Sequence, residues 1–292
     1  MGAISLYAKP SADFAAKLEA SKALLISAAA QFSPITQASS LGAEDMVVSH
    51  LVAETGIAAS IFVLDTRMLH PQTLALVGRL EDRYKLKVDV YQPDPVVAAH
   101  FVTEFGDDAM YKSLELRKAC CDFRKMVPLE RALAGQKAWI TGLRREQSNA
   151  RADVHDIEHQ QLVIDGRQVS RAKVNPLADW TWGDVWHFIS LNDVPYNPLH
   201  DEFFPSIGCA PCTRAVTLGE DFRSGRWWWE QESARECGLH VAADGTHEAE
   251  EPAAFEPLSS SLPDRPAGAS DGTNNTNNNK RSNVIPIKEI SA

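Results

Sequence analysis

The chain has 292 residues, of which 44% are hydrophobic and 23% are charged, a composition typical of a soluble globular protein with one large α/β domain or two small ones. It has no run of the roughly 18–20 apolar residues that a membrane span requires, and its N-terminus lacks the basic and apolar regions of a secretory signal. Its net charge of −10 disfavours nonspecific binding to nucleic acid. We therefore expect a cytoplasmic protein that binds neither membranes nor nucleic acid.

Predicted strands and helices alternate along most of the chain. In chain order they are a helix at 12–31, a strand at 35–38, a helix at 43–54, a strand at 61–64, a helix at 71–83, a strand at 87–91, helices at 96–105 and 114–134, a strand at 138–141, a hairpin of 161–164 with 167–171, and a helix at 182–191. The hairpin is predicted from the Asp165-Gly166 turn between its strands. This alternation predicts an α/β fold with a mainly parallel, twisted sheet flanked by helices.

The composition changes beyond His240. Residues 241–292 are acidic and Asn-rich, and they include the low-complexity stretch DGTNNTNNN at 271–279. Such a segment buries too little apolar surface to offset the entropy lost on ordering. We expect this tail to be disordered and residues 1–240 to form the functional domain.

Five cysteines divide into two pairs, Cys120-Cys121 and Cys209-Ala-Pro-Cys212, and the single residue Cys237. In a reducing compartment these spacings indicate metal binding or catalysis rather than disulfides. Neighbouring residues on a helix point about 100° apart, so two adjacent sulfurs would strain a tetrahedral zinc site, whereas a cubane offers separate iron atoms. The four paired cysteines favour a [4Fe–4S] cluster; a zinc ion and unligated buried thiols are the alternatives.

Cys237 stands apart from those four, in the sequence ECGLH at 236–240. A cysteine outside the metal site, in an accessible segment, is well placed to attack a substrate and then to meet a second protein. Positive charge would stabilise its thiolate, and Arg235 and His240 are its candidate partners. The alternative is an incidental surface cysteine.

The turn Ser39-Ser40-Leu41-Gly42 follows a predicted strand and precedes a predicted helix. Its small residues let backbone N–H groups approach an anion, and the helix N-terminus adds a favourable dipole. The signal is weak on its own, since many helices begin with a Ser-x-x-Glu capping box. We expect Asp45 to cap the helix or to order the loop rather than to act as a catalytic acid.

Basic residues occur at two further places. Arg144, Arg145 and Arg151 follow the strand predicted at 138–141, and their guanidiniums suit bidentate binding of phosphate or sulfate. A solvated loop is the alternative. Lys125 lies one helical turn beyond Cys121, and therefore on the same side of the predicted helix.

Seven motifs follow one another between residues 33 and 240: SSLGAED at 39–45, LDT at 64–66, CCDFRK at 120–125, GLRREQS at 142–148, GCAPCTR at 208–214, GRWWW at 225–229 and ECGLH at 236–240. Together they resemble the assimilatory sulfonucleotide reductases, and among these the adenylyl-sulfate (APS) reductases that use thioredoxin. The resemblance implies an adenine nucleotide alpha-hydrolase-like fold with a modified PP-loop at 39–45. One departure is Arg67, since the family often has Gly after Thr66.

The resemblance also implies roles for individual residues. Cys237 would be the nucleophile of a catalytic segment at 225–240, and Lys125, Arg223, Arg226 and His240 would line the sulfate end of the site. The residues expected to bind substrate are Ser39, Ser40, Gly42, Asp45, Leu64, Thr66, Arg144, Arg145 and Arg151. The four paired cysteines would hold the [4Fe–4S] cluster, thioredoxin or a glutaredoxin-like carrier would be the partner, and the family often forms homotetramers.

The implied reaction is the reduction of APS to sulfite and AMP in assimilatory sulfate reduction, through a Cys237 S-sulfonate that thioredoxin resolves. The nearest alternative is a reductase for 3′-phospho-APS (PAPS) or for both nucleotides, although members specialised for PAPS usually lack the four cluster cysteines. A PP-loop tRNA-thiolating or ATP-pyrophosphatase enzyme would typically have SGGxDS in the loop. A nonenzymatic redox-sensing cluster protein would leave 144–151 and ECGLH unexplained.

Overall fold

The computed structural model describes residues 2–164, 167–217 and 219–230, which all fall within the unit Met1–Asp244. Six strands in this part of the chain form one sheet with the order β3-β2-β1-β4-β6-β5. They are β1 (Ile35–Ser39), β2 (Ala59–Leu64), β3 (Val88–Tyr91), β4 (Ala138–Ile140), β5 (Ile157–Ile164) and β6 (Arg167–Val174). All neighbours pair in parallel except β5 and β6, which are antiparallel. The mainly parallel sheet predicted from the sequence is confirmed.

Eight α-helices surround the sheet in the described ranges. They are α1 (Ala3–Tyr7), α2 (Phe14–Gln31), α3 (Ala43–Thr55), α4 (Pro71–Tyr84), α5 (Pro95–Phe105), α6 (Leu114–Cys121), α7 (Val127–Leu133) and α8 (Trp182–Asn192). Proline begins α4 and α5, where its missing N–H has no intrahelical partner to lose. No helix in this part of the chain is both long and apolar enough to span a membrane.

Alternate residues of a strand point to opposite faces of the sheet, and the side chains on each face pack into a core. Ile61 and Val63 of β2 pack into the larger core, which contains residues of α2, α3, α4 and α8. Phe62, between them, packs on the other face against Leu129 and Leu133 of α7. The central strands β1 and β4 therefore lie in the interior, whereas the edge strand β3 is partly exposed at Val90.

The helix predicted at 114–134 is confirmed over residues 114–133, but it is not α-helical throughout. A π-helical segment, Asp122–Met126, separates α6 from α7, and it begins directly after Cys121. Wide turns of this kind are frequently found at functional sites. Within it, Arg124 is buried and donates through Nη1 to the backbone oxygen of Thr66 at 2.9 Å, a long-range contact that helical periodicity could not reveal.

Several predictions fall outside the described residues. These are the Asp165-Gly166 turn, part of the catalytic segment with Cys237 and His240, and the tail at 241–292. They stay predictions.

Candidate active site

A cavity of about 190 Å³ lies over the carboxyl ends of the central strands, where open α/β sheets bind their ligands. Ser39 and Leu64, the last residues of β1 and β2, and Thr141, which follows β4, form part of its wall. The cavity brings together nine of the predicted site residues: Ser39, Ser40, Gly42, Asp45, Leu64, Lys125, Arg151, Arg223 and Arg226.

The turn between β1 and α3 is held in one shape by its own side chains. Leu41 has a left-handed φ of 61°, and its N–H donates to Ser39 Oγ at 3.2 Å. Gly42 is the N-cap of α3 with an extended backbone and no side chain. The N-terminus of α3 thus lies in the cavity wall, whereas the N–H groups of Ser40, Leu41 and Gly42 donate to side chains of the same turn and of Asp45.

Asp45 fastens this turn to the loop after β4. Its Oδ2 accepts from both the N–H and the Oγ of Ser40, at 2.7 and 2.6 Å, and its Oδ1 accepts from the Gly142 N–H at 3.0 Å. A Cβ at position 142 would lie 2.5 Å from Oδ1, so only glycine allows this approach. Burial raises the pKa of Asp45 to about 6, although these hydrogen bonds oppose the shift. Asp45 orders two loops, as one of the two roles considered for it predicted, and it does not cap α3, whose N-cap is Gly42 with no side-chain hydrogen bond.

Arg144 is turned away from the cavity into a buried ion pair. Its side chain is 1% exposed, and its Nε and Nη2 donate to Glu44 Oε1 at 3.1 and 3.0 Å. Gln147 donates to the same oxygen at 2.9 Å. Burial alone would raise the pKa of Glu44, but Arg144 and Gln147 hold that pKa below its ordinary value. Arg144 thereby shapes the loop that carries Gln147 into the cavity wall.

The other two arginines of this loop separate. Arg145 donates to the backbone oxygen of Val154 at 2.7 Å and forms ion pairs with Asp156 and Asp179, and it is not part of the cavity wall. Arg151 is 5% exposed and lines the cavity. The structure thus brings one of the three predicted arginines to the cavity.

The segment after β2 divides between two pockets. Leu64 lines the cavity, whereas Thr66 lines a second, smaller pocket and its hydroxyl lies 3.2 Å from the Sγ of Cys209. Arg67 adopts a left-handed φ of 62°, a conformation that glycine adopts without strain. The loop has the geometry that favours glycine, even though this chain has Arg there.

The second pocket, of about 20 Å³, is lined by all four paired cysteines. Cys120 and Cys121 end α6, while Cys209 precedes and Cys212 ends the 3-10 helix Ala210–Cys212. The Ala210 N–H donates to the backbone oxygen of Met68 at 2.7 Å, which holds the second pair against the segment after β2. Among the described residues, no three His, Cys, Asp or Glu side chains are arranged as ligands of a single metal ion.

Burial and nearby cations shift the pKa values of these thiols in opposite directions. Burial raises the pKa of Cys212 to about 12, and Arg226 and Lys125 oppose that shift. Burial also raises the pKa of Cys120, against the influence of Arg124 and Lys125. Lys125 lines both the cavity and the cysteine pocket. The position predicted for it, on the side of the cysteines, agrees with the structure.

Trp227 and His200 are among the cavity-wall residues that were not predicted as site residues from the sequence. Trp227 is 1% exposed. His200 is 4% exposed, with Nδ1 at 2.8 Å from the backbone oxygen of Phe204, and burial lowers its pKa to about 4. The sequence offered only the GRWWW motif for Trp227, and for His200 no signal beyond the Asn197-Pro198 helix start.

A mostly parallel sheet with a helix N-terminus and a cavity at the carboxyl ends of its central strands is the arrangement in which nucleotide-binding α/β proteins hold their ligands. The sequence profile of the phosphoadenosine phosphosulfate reductase domain matches residues 34–215, and the chain belongs to this family.

Individual relatives agree with that membership. The adenosine 5′-phosphosulfate reductase of Burkholderia cepacia is 47% identical over 229 residues, which cover 78% of this chain and 89% of the relative. The corresponding reductase of Allochromatium vinosum is 48% identical over 217 residues, 74% of this chain and 82% of the relative. The crystal structure of phosphoadenylyl-sulfate reductase from Candida auris, a phosphate complex, is 26% identical with a TM-score of 0.55 and covers 68% of this chain and 90% of its own. The resemblance drawn from the sequence motifs is confirmed.

Proposed function

We propose that this protein reduces adenylyl sulfate to sulfite and AMP in assimilatory sulfate reduction. The observation that carries the proposal is the cavity itself, where an anion-binding turn at the start of α3 shares one wall with Lys125, Arg151, Arg223 and Arg226. A substrate with two joined anionic groups, a phosphate and a sulfate, matches this charge. The curated relatives are named as reductases of that nucleotide.

In the proposed first step the thiolate of Cys237 attacks the sulfur of APS. A bond forms between the two sulfurs, the bond from sulfur to the bridging oxygen breaks, and AMP leaves with the electron pair. The product on the enzyme is a Cys237 S-sulfonate, so a difficult reduction is divided into two easier steps. Lys125, Arg223 and Arg226 would neutralise the charge that develops on AMP and on the sulfonyl oxygens. His240 is proposed to act beside Cys237.

In the second step a dithiol carrier, thioredoxin or a glutaredoxin-like protein, supplies the two electrons. Its thiolate attacks the Sγ of Cys237, sulfite leaves, and a mixed disulfide forms. The second thiol of the carrier then releases Cys237 and leaves the carrier oxidised. We further propose a cytoplasmic homotetramer.

We propose that Cys120, Cys121, Cys209 and Cys212 hold a [4Fe–4S] cluster. Four thiols face one pocket whose wall also contains Arg117, Arg124 and Lys125, and such cations suit the negative charge of a cluster held by thiolates. The bound cluster would supply a fixed charge beside the sulfate end of the cavity, while the electrons come from thiols.

A PAPS reductase, or an enzyme that uses both nucleotides, is the second candidate, because the Candida auris structure is of a PAPS reductase. The 3′-phosphate is the only difference between the two substrates. The ratio of kcat/KM for APS to that for PAPS distinguishes the candidates, and we expect a preference for APS.

The test is mass spectrometry of the full chain incubated with APS and no thiol carrier. We expect one SO₃ adduct, located on Cys237, and release of an equal amount of AMP. Cys237→Ser should give neither product. AMP release without an adduct on Cys237 would contradict the proposed intermediate.

A further inference from the structure

The segment at 225–230 is paired with the segment that carries Cys212. Thr213 and Arg226 form an antiparallel bridge. The Arg214 N–H donates to the backbone oxygen of Gly225 at 3.0 Å, and the Trp227 N–H donates to that of Cys212 at 3.3 Å. Movement of one segment therefore moves the other.

Trp227 is the centre of a second contact. Its indole is 1% exposed, and the guanidinium carbons of Arg117 and Arg226 lie over its ring at 4.8 and 4.6 Å from the centroid. Its backbone has a left-handed φ of 44°, which is a strained conformation for a bulky residue and persists only where the surroundings impose it. The contacts of Trp227 with Arg117 and Arg226 thus hold its buried ring in position.

Glu230 makes the third contact, with the helix that ends in Cys120 and Cys121. The Arg117 Nε and Nη2 donate to the two carboxylate oxygens of Glu230 at 2.9 and 2.8 Å. The two side chains are only 2% and 8% exposed. A buried, bidentate ion pair fixes both the distance between its two side chains and their relative orientation. An exposed ion pair constrains its side chains only weakly.

Cys237 follows Glu230 by seven residues and Arg226 by eleven. Seven residues reach at most about 25 Å, so the place where the chain is fastened limits where the nucleophile can go. From these contacts we infer that Arg117 and Glu230 are positioning residues for Cys237. Their ion pair ties the start of the segment that carries the nucleophile to the cysteine-bearing helix α6. This inference rests on the proposed function of Cys237.

The size of the expected effect separates tethering from orientation. If the pair only shortened the tether from eleven residues to seven, its loss would change the effective concentration of Cys237 about twofold, by the −3/2 power of tether length. Misplacing a reacting group by about 1 Å costs on the order of a hundredfold. A role in orientation therefore requires a loss well beyond twofold.

The experiment compares Glu230→Gln with the wild-type chain in a single turnover with APS. The matched control is Glu220→Gln, which makes the same change in the more exposed Arg214–Glu220 pair. Three quantities are measured: the rate constant for sulfonation of Cys237, the Kd for AMP, and amide hydrogen exchange in the peptide 225–230. If Glu230→Gln does not fold, Arg117→Lys is used in its place. This change keeps the positive charge but removes the guanidinium that donates two hydrogen bonds to Glu230.

We expect Glu230→Gln to lower the sulfonation rate at least tenfold, to raise exchange in the peptide, and to leave the Kd for AMP and the bound metal unchanged. Glu230→Asp should restore most of the rate, and Glu220→Gln should change nothing. A rate within twofold of wild type, unchanged exchange, or a parallel loss of AMP binding or metal would overturn the inference. If wild-type Cys237 is never sulfonated, the proposed function fails, while hydrogen exchange still tests the tie.

Discussion

The cavity and the cysteine pocket meet at Lys125, yet different interactions shape them. The cavity walls are fixed by hydrogen bonds of the chain with itself, through Asp45 to Ser40 and Gly142 and through Glu44 to Arg144. The cysteine pocket places four thiols around a small space, with burial and cations acting on them. Contacts within the chain hold both regions, since the Trp227 N–H donates to the backbone oxygen of Cys212. The difference lies in the four buried thiols of the cysteine pocket, for which we propose a cluster as the partner.

The largest effect on activity and stability is expected when one of the four paired cysteines is replaced. We expect Cys212→Ser to lose bound iron, most of its stability and nearly all sulfite production, because three thiolates cannot complete the site. Cys237→Ser makes the same chemical change and should keep the iron while losing sulfite production. Elemental analysis, visible absorbance and a sulfite assay check both variants. Bound zinc with full activity would contradict the iron assignment.

Lys125 tests whether the two regions act together. Lys125→Ala should lower kcat/KM for APS by about 10²–10³-fold, because a positioned cation is removed from the place where charge develops. Lys118→Ala, an exposed change of the same kind on α6, is the control and should have little effect. If Lys125→Ala and Lys118→Ala had the same kcat/KM for APS, Lys125 would not connect the cysteine pocket with catalysis.

His200 provides a test of the buried cavity wall by pH. Its pKa is lowered from 6.5 to about 4 by burial, so between these values the unfolded chain binds a proton that the folded chain does not. The stability that the neutral ring contributes is therefore present above about pH 6.5 and lost as pH falls towards 4, by up to about 3 kcal/mol. In urea unfolding, the free energy of unfolding of His200→Gln should fall less steeply from pH 6.5 to pH 4 than that of the wild-type chain. Identical pH dependences would contradict the buried neutral ring.

Gly142 tests the hydrogen bonds that fix the cavity. Gly142→Ala should lower the free energy of unfolding by about 1–3 kcal/mol, because the new Cβ would lie 2.5 Å from Oδ1 of Asp45. Gly78→Ala in α4 has nothing within 4 Å of its Cβ and should be stabilising by up to about 1 kcal/mol. Chemical denaturation measures both changes. An unaffected Gly142→Ala would mean that the loops are not held together by this contact.

The smallest effect is expected at Arg67, on the boundary between the two regions. Its left-handed φ costs about 1–2 kcal/mol in a residue with a Cβ, and the freedom that glycine adds to the unfolded chain offsets up to about 1 kcal/mol of the gain. Arg67→Gly should therefore raise the free energy of unfolding by about 1 kcal/mol or less. A loss of stability would show that the arginine side chain makes a necessary contact.

Predictions from the sequence succeeded where a local pattern sets the structure. The strands β1 to β4 and the helices α4 and α5, which begin with proline, were predicted correctly because burial and backbone geometry act on neighbouring residues. The helix predicted at 114–134 is present, but no feature of the sequence indicated its π turn at Asp122–Met126, because an α-helical period does not report one. His200 was missed because its loop reaches the cavity only through the fold.

The sequence by itself determined the alternation of strands and helices, the family, and the division of the cysteines into four and one. The tertiary structure alone decided that the four cysteines line one pocket, that Arg151 reaches the cavity while Arg144 pairs with Glu44, and that Arg117 meets Glu230. The physical reason is that spacing along the chain fixes only neighbours. Whether a charged side chain faces a ligand or another part of the protein is decided by the partners that folding brings within hydrogen-bonding distance.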